Sequence, residues 1–453
     1  MLLSVRKIFY SIVVFYAIHL VIDYIGNRYT SKFHGYEYGN VRRFFSVCKM
    51  GWLMTYLSYL AHSFLSSFFI QPFTYVKFTT SYGKFSQRKL NKWKGRMTRS
   101  WMLLSILAIG MYFLYFTNIE NSLLYYIFGW ANGLWIHMFM FSFGFIVLTF
   151  LIKGIEKFYY PNRILNYFYK CDFIKKFCTD SQHQVIFTLC ISILLCGIEI
   201  ISANRIYLKY HTLKIKDLKP ETEGFRFALV TDLHTGALVY EDMISKVVDM
   251  VNEEKVDAIF LVGDVVDAPY QLIKDRTKPM KHFTSNYGTF FVTGNHEYYY
   301  GNVQDWIDAF KNEYGFKVLE NDIYNLQGMC LVGLHDISAA KNNISTHVMN
   351  PSVINECLPD EPIIVLAHNP AATKEIINAT RDKPVDLILS GHTHAGQYYV
   401  MIPYVLTFLP YFHGFYEVGN GTTLVVSAGT LYQAAPMKMW YYSEIHIFTL
   451  VKG

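Results

Sequence analysis

The sequence predicts an N-terminal multi-span α-helical membrane region followed by an α/β layered domain. Three observations predict it. Apolar residues make up 52% of the 453 residues and aromatics 17%, too oily for one soluble domain. The apolar residues gather before residue 203 in stretches near the roughly 20 residues that cross a bilayer core. From residue 225 onward, short buried-strand runs alternate with helical spacing, the pattern of a layered α/β fold. Charge divides at the same place. Residues 1–219 carry 26 Lys/Arg against 8 Asp/Glu, and residues 220–453 carry 15 against 27. The basic charge lies between apolar spans, so no nucleic-acid partner is expected.

Five spans are expected within residues 1–203: Ile8–Ile25, Gly51–Phe73, Trp101–Ile119, one crossing within Ser122–Ile152, and Val185–Ala203. Arg6 and Lys7 precede the first and no small-x-small cleavage site follows it, which reads as an uncleaved signal anchor. The 31 residues of Ser122–Ile152 are too many for one upright span and too few for two. Trp130-Ala-Asn132-Gly133 is therefore expected to bend an interfacial segment into a single crossing. Asn132 and His137 would mark a polar cavity if the spans did more than anchor. No charged pair inside a span suggests a transport path, and Glu199 is expected to reach water from the end of the fifth.

Loop charge sets the orientation. The acid-free loop from Lys77 to Arg99 and the loop with Lys153, Lys157, Arg163, Lys170, Lys175 and Lys176 belong in the cytoplasm by the positive-inside rule. The link holding Asn118, Glu120 and Asn121 then lies outside, and the second half is lumenal or extracellular. Arg28, Lys32, Arg42 and Arg43 pull against this, because the first loop would also lie outside. The sequons at Asn343, Asn378 and Asn420 agree with it. Cys330 and Cys357 could pair in an oxidising space, but their spacing does not establish the pairing.

Residues 204–224 are mixed polar and are expected to form a linker, with the α/β domain over 225–453. The expected strands are Phe225–Val230, Ala258–Val262, Thr289–Val292, Ile363–Ala367 and Val385–Leu389. Helical spacing covers Glu241–Glu254 and Val303–Tyr314. Five polar signatures sit at strand ends: Asp232-Leu-His234, Gly263-Asp264, Gly294-Asn295-His296-Glu297, Ala367-His368-Asn369 and Gly391-His392-Thr-His394. Active groups of layered α/β folds collect beyond the carboxyl ends of strands, so these segments can converge.

Their chemistry is that of a dinuclear metal site. Asp232 and His234, two apart, can turn to one side and share a cation. Asp264 has two oxygens and can bridge two. Asn295 offers a neutral oxygen, and His368, His392 and His394 complete the set. Two divalent cations would hold a bridging hydroxide and clamp phosphoryl oxygens during in-line attack on a phosphate ester. His296 is left over and suits protonation of the leaving oxygen, since imidazole titrates near neutrality. His211, His282, His335, His347, His413 and His446 read as packed or surface residues.

The runs D-x-H, G-D-V-V-D, G-N-H-E, A-H-N and G-H-T-H resemble the calcineurin-like metallophosphoesterase superfamily, over about residues 225–450. The run Gly294-Asn-His-Glu-Tyr-Tyr followed by Gly391-His-Thr-His-Ala-Gly-Gln397 is similar to its membrane-anchored branch. The resemblance implies a four-layer α-β-β-α sandwich and a hydrolase acting on ester bonds. By position it gives one cation Asp232, His234, Asp264 and His394, and the other Asp264, Asn295, His368 and His392. His296 becomes the acid or transition-state stabiliser. Purple acid phosphatases of this superfamily have Tyr three residues after the bridging Asp, where this chain has Asp267. Mn²⁺ or Zn²⁺ is therefore expected ahead of iron, with Asp267 behind the ligands.

Glu297-Tyr298-Tyr299-Tyr300 either walls the pocket or packs. The apolar run Tyr398–Tyr416 either rests on a bilayer surface or forms a buried strand pair. In the first case the substrate is a lipid-linked phosphate and membrane lipid a partner. A catalytically silent membrane receptor or scaffold that keeps the metal site is the rival from another class, and a transporter with an accessory domain is a second.

Overall fold

The computed structural model describes residues 5–33, 35–69, 80–114, 122–158, 170–236, 238–300, 302–342, 344–380 and 384–453. Lys77, Asn118, Glu120, Asn121, Arg163, Asn343 and the C-terminal ends of the second and third expected spans lie outside the described residues. The chain divides into two compact units. One comprises Met1–Arg28, Phe44–Phe113 and Tyr126–Gly197; the other comprises Tyr29–Arg43, Leu114–Tyr125 and Ile198–Gly453.

The first unit is helical, drawn from α1 (Val5–Thr30), α2 (Gly35–Leu65), α3 (Thr80–Leu114), α4 (Ser122–Phe158), α5 (Asp172–Thr179) and α6 (Ser181–Ala203). Among the described residues four stretches are long and apolar enough to cross a membrane: Phe9–Thr30, Asn91–Leu114, Leu123–Ile155 and Ser181–Ala203. The helix over the expected second span, α2, is not among them. Trp52, Tyr56, Ser58, Tyr59, His62 and Ser63 lower its mean hydropathy. The expected bend at Trp130–Gly133 is absent, and α4 runs through it without a break. Asn132 turns its amide onto the Ala108 carbonyl at 3.0 Å, so the polar residue joins two helices instead of breaking one. Met54, Trp101, Trp135 and Phe145 pack inside this unit, while Phe9, Leu20, Ile106 and Ile193 point outward and exposed, as lipid-facing residues do.

The second unit holds two six-stranded sheets. The strands are β1 (Tyr207–Ile215), β2 (Arg226–Val230), β3 (Ala258–Val262), β4 (Thr289–Val292), β5 (Lys317–Val318), β6 (Asp322–Leu326), β7 (Met329–Gly333), β8 (Ile363–Leu366), β9 (Leu387–Ser390), β10 (Gly414–Glu417), β11 (Thr423–Val426) and β12 (Glu444–Lys452). Their orders are β1-β12-β2-β3-β4-β5 and β10-β11-β9-β8-β7-β6. Residues alternating along the strands pack between the sheets: Phe227, Leu229, Phe260, Val262 and Phe290 from one, Leu331, Ile364, Leu366 and Leu389 from the other. Helices cover the outer faces. α7 (Glu241–Glu253) buries Ile244, Val247, Val248 and Val251, the stripe expected of a one-sided helix. After α8 (Tyr270–Thr277), α9 (Val303–Asn312) sets Phe310 4.7 Å from Phe291 of β4. After the short α10 (Ser338–Lys341), α11 (Thr373–Ala379) packs Ile376 with Val365 and Ile388 on the other sheet. This is the four-layer sandwich.

Three sequence expectations change here. The expected linker contains β1, paired in parallel with β12 over nine residues; its Lys and Thr residues mask the alternation that Leu213 and Ile215 carry. The run Tyr398–Tyr416 forms the short helix α12 (Ile402–Phe408) and the edge strand β10, not a buried strand pair. Glu199 does not reach water. It is fully buried, with Oε1 accepting from the Tyr399 amide at 2.9 Å. Cys330 and Cys357 form a disulfide across Cα atoms 5.8 Å apart.

Candidate dinuclear metal centre

Strands β2, β3 and β4 are parallel neighbours in one sheet, and β8 and β9 in the other. Their carboxyl ends therefore open on one edge of the sandwich. Each end turns sharply. Five of the seven expected ligands take left-handed backbone angles: Asp232 (φ 55°), His234 (47°), Asp264 (53°), His392 (74°) and His394 (49°). Such angles strain non-glycine residues and cluster where function requires a fixed side chain. The turns also crowd together. A Cβ on Gly294 would lie 2.3 Å from Asp264 Oδ1, so only glycine lets the β4 turn approach the carboxylate.

Six of the seven side chains, Asp232, His234, Asp264, His368, His392 and His394, meet. Asp264 Oδ2 lies 3.1 Å from His368 Nε2 and 3.9 Å from His234 Nε2. His394 Nε2 is 3.3 Å from Asp232 Oδ1 and 2.9 Å from His234 Nε2. The candidate ligand atoms of Asp232, His234 and His394 lie within 4.8 Å of one another, as do those of Asp264, His368 and His392. Outer partners fix the rings. His368 Nδ1 faces the Val262 carbonyl at 2.8 Å and His234 Nδ1 faces Asp267 Oδ1 at 3.0 Å, which assigns their protons to Nδ1 and turns bare Nε2 atoms inward. Two nitrogens 2.9 Å apart with inward lone pairs repel unless a cation or proton lies between them. The buried Asn295 Oδ1 and His368 Nε2 make no hydrogen bond. These donors fit a pair of divalent cations.

Charge follows the same geometry. Burial pushes the carboxyls of Asp232, Asp264 and Asp267 up, but the surrounding imidazoles hold all three well below the carboxylate range. Burial pulls His234 down, and Asp267 overcomes it and lifts the ring to about 10. His368 is raised the same way by Asp264. Burial pushes His394 down to about 4, and burial with His368 lowers His392. Bound cations would displace the protons that His234 and His368 take up.

His296 stands beside the centre. Its Nδ1 meets Asp267 Oδ1 at 2.5 Å and its Nε2 meets the Gln433 amide at 2.6 Å. Asp267 thus touches both His234 and His296. Glu297 does not wall a pocket. Buried between β3 and β4, it accepts from the amides of Asp264 (3.0 Å), Gly294 (2.6 Å), Val265 (2.7 Å) and Val266 (3.2 Å). Tyr298 packs with its hydroxyl on Thr293, while the ring of Tyr299 lies 5.0 Å from that of His296. Sequence reasoning missed Gln433, which no motif marks, and Lys438. Burial lowers the Lys438 amine to about 7, and it holds the Gly429 carbonyl at 2.7 Å on the turn that touches Asp232. Of the other histidines, His282 is exposed and the rest pack to differing degrees. His335 stacks on His347 at 4.4 Å, while His413 and His446 share Glu444.

Residues 225–396 match the family of calcineurin-like phosphoesterases. The chain is similar to the transmembrane protein with metallophosphoesterase domain of Danio rerio, 32% identical over 243 residues that cover 51% of this chain and 54% of the relative. The protein of the same name from Bos taurus is 34% identical over 239 residues, covering 50% and 53%. An uncharacterized metallophosphoesterase of Helicobacter pylori is 34% identical over 226 residues, covering 50% and 60%. The chain spans about half the length of the curated relatives it matches. A dimetal phosphatase structure from Danio rerio aligns at TM-score 0.32 and 12% identity, over 46% of this chain and 88% of that one. The C-terminal domain of this chain is thus similar to calcineurin-like phosphoesterases over residues 225–396, and it follows the apolar helices in the sequence.

Proposed function

We propose that the protein is a membrane-anchored, metal-dependent phosphoesterase that hydrolyses phosphate-ester bonds, lipid-linked ones in particular, on the lumenal or exterior face of a membrane. The observation that carries the reading is Asp264 Oδ2 set between His368 and His234, with the His234 and His394 nitrogens facing each other at 2.9 Å. One cation would take Asp232, His234, Asp264 and His394, and the other Asp264, Asn295, His368 and His392. Mn²⁺ or Zn²⁺ suits this mix of oxygen and imidazole donors, because Asp267 fills the place an iron–tyrosinate site would need. Bound there, the cations would supply charge for the phosphoryl oxygens and acidify a water. The protein's own part is orientation and proton transfer. Asp267 holds the Nδ1 side of His296, so Nε2 is the atom that gives a proton to the leaving oxygen. Gln433 keeps that nitrogen in place until substrate arrives.

Three observations support the topology. Tyr29–Arg43 packs in the same unit as Ile198–Gly453, which supports placing both on one face with an even number of crossings between them. Helices α3, α4 and α6 would supply three and α2 the fourth. With α1 this makes five. The Cys330–Cys357 disulfide suits an oxidising compartment. Asn378 and Asn420 of the sequons are exposed. The lipid reading rests on α12, where Tyr404, Leu406 and Phe408 are exposed shortly after His394. Full-length protein with added Mn²⁺ should hydrolyse an aryl phosphate, and Asp264→Asn should not. No turnover by the wild type would instead favour a silent receptor or scaffold.

A further inference from the structure

We infer that Arg43 is a substrate-binding residue: its guanidinium, one tyrosine ring away from His296, takes a second anionic group of the substrate, beyond the phosphoryl group at the dinuclear centre. The inference rests on the phosphoesterase reading. Arg43 closes Tyr29–Arg43, the segment that packs as part of the second unit. Its Nη2 donates to the Tyr300 hydroxyl at 3.1 Å, and its Cζ lies 4.6 Å over the Tyr299 ring and 5.3 Å over the Tyr300 ring. Those rings lie 5.0 and 6.1 Å from the His296 ring.

Among the described residues no ion pair holds the guanidinium, and Asp267 acts on it only at longer range. Its Nε is shielded from solvent and has no hydrogen-bond partner. A phenol hydroxyl and two aromatic faces orient the cation without neutralising it. A partly buried charge without a counter-ion is costly, and a guanidinium keeps several donors in a planar fork matched to two oxygens of a phosphate. The Coulomb attraction for an arriving anion is largest in such a shielded place. The sequence supplies the second argument. Arg42 and Arg43 lie near the start of α2, between the first two expected spans, where the positive-inside rule would place them across the membrane from the catalytic domain. A cation kept against that rule, and set beside an active site that binds anions, is retained for use there. The distance of one ring from His296 makes the partner a separate group, which points to a substrate with two anionic phosphates.

The test is binding of inorganic pyrophosphate and inorganic phosphate to the full-length, Mn²⁺-loaded protein in detergent, by calorimetry, with cation content and melting temperature measured alongside. Arg43→Gln should weaken pyrophosphate binding by about tenfold or more, the scale of a lost charge-assisted hydrogen bond, and leave phosphate binding and cation content nearly unchanged. Arg43→Lys should restore part of the loss. Equal pyrophosphate affinity in wild type and Arg43→Gln would overturn the inference. So would no pyrophosphate binding by wild type, or equal weakening of both ligands together with a lowered melting temperature, the mark of a merely structural contact. Arg43-dependent binding by a wild type that hydrolyses no ester would retain the anion site and overturn only the reading as an enzyme.

Discussion

In the helical unit paired buried polar atoms tie neighbouring helices together or bond within their own helix; in the second unit those around Asp264 are kept back from one another and aimed at a common point. Ser58 takes the indole N–H groups of both Trp101 and Trp135, Asn132 bonds Ala108 on the next helix, and Ser105 and Ser142 return their hydroxyls to the carbonyl four residues back. Around Asp264 the pattern reverses. Outer partners such as Val262 and Asp267 take the far sides of the rings, so the near sides stay open. A buried polar atom thus marks an anchor when its partner is local, and a site when its partners lie behind it.

The comparison can be broken most severely at the shared carboxylate. Asp264→Ala should abolish cation binding and lower aryl phosphate turnover beyond the roughly 100-fold that losing an outer partner costs. His137→Phe in α4 should leave both unchanged, and elemental analysis with a turnover assay reads the contrast. Next comes His296→Gln, expected to lower turnover by about 10²–10⁴-fold with cation content kept. A variant that loses cations would make His296 a ligand instead.

Glu444 sharpens the comparison within the second unit, since it is a buried charge with a wholly structural role. Burial pushes it up, but His446 and His413 hold it well below the carboxylate range. A depressed folded value means its stabilisation is present above its unfolded value near 4.5 and is lost as pH falls through the folded value. Glu444→Gln should cost about 1–3 kcal/mol near neutrality and flatten the acid side of the melting-temperature profile. The smallest effect is expected at α12. Leu406→Ser with Phe408→Ser should slow hydrolysis of a vesicle-borne phospholipid by a few-fold and leave a soluble aryl phosphate unaffected. Equal rates on both substrates in the variant would remove the bilayer from the account.

The convergence of Asp232, His234, Asp264, His368, His392 and His394 was legible because each lies in a short motif placed where a strand must end, and the buried apolar runs that locate those ends are plain in Ala258–Val262 and Thr289–Val292. What escaped lacked such a period or motif. β1 pairs through its backbone with β12, and its Lys209, Thr212 and Lys214 read as linker. Gln433 reaches His296 across 137 residues, which no spacing can announce. Glu199 looked solvated because helix-end position says nothing about the Tyr399 amide that covers it. The straight course of α4 was missed because Trp130–Gly133 has the composition of a bend, while Asn132 finds its partner on another helix.

Glu297 has a consequence for the kinetics of loading. By gathering four amides from two loops, it fixes the seat of the bridging carboxylate independently of any ion. Those four N–H groups should then resist deuterium exchange to the same degree whether or not chelator is present. Cations would enter a mould already set, and capture would be governed by their dehydration and not by the folding of the loops around them.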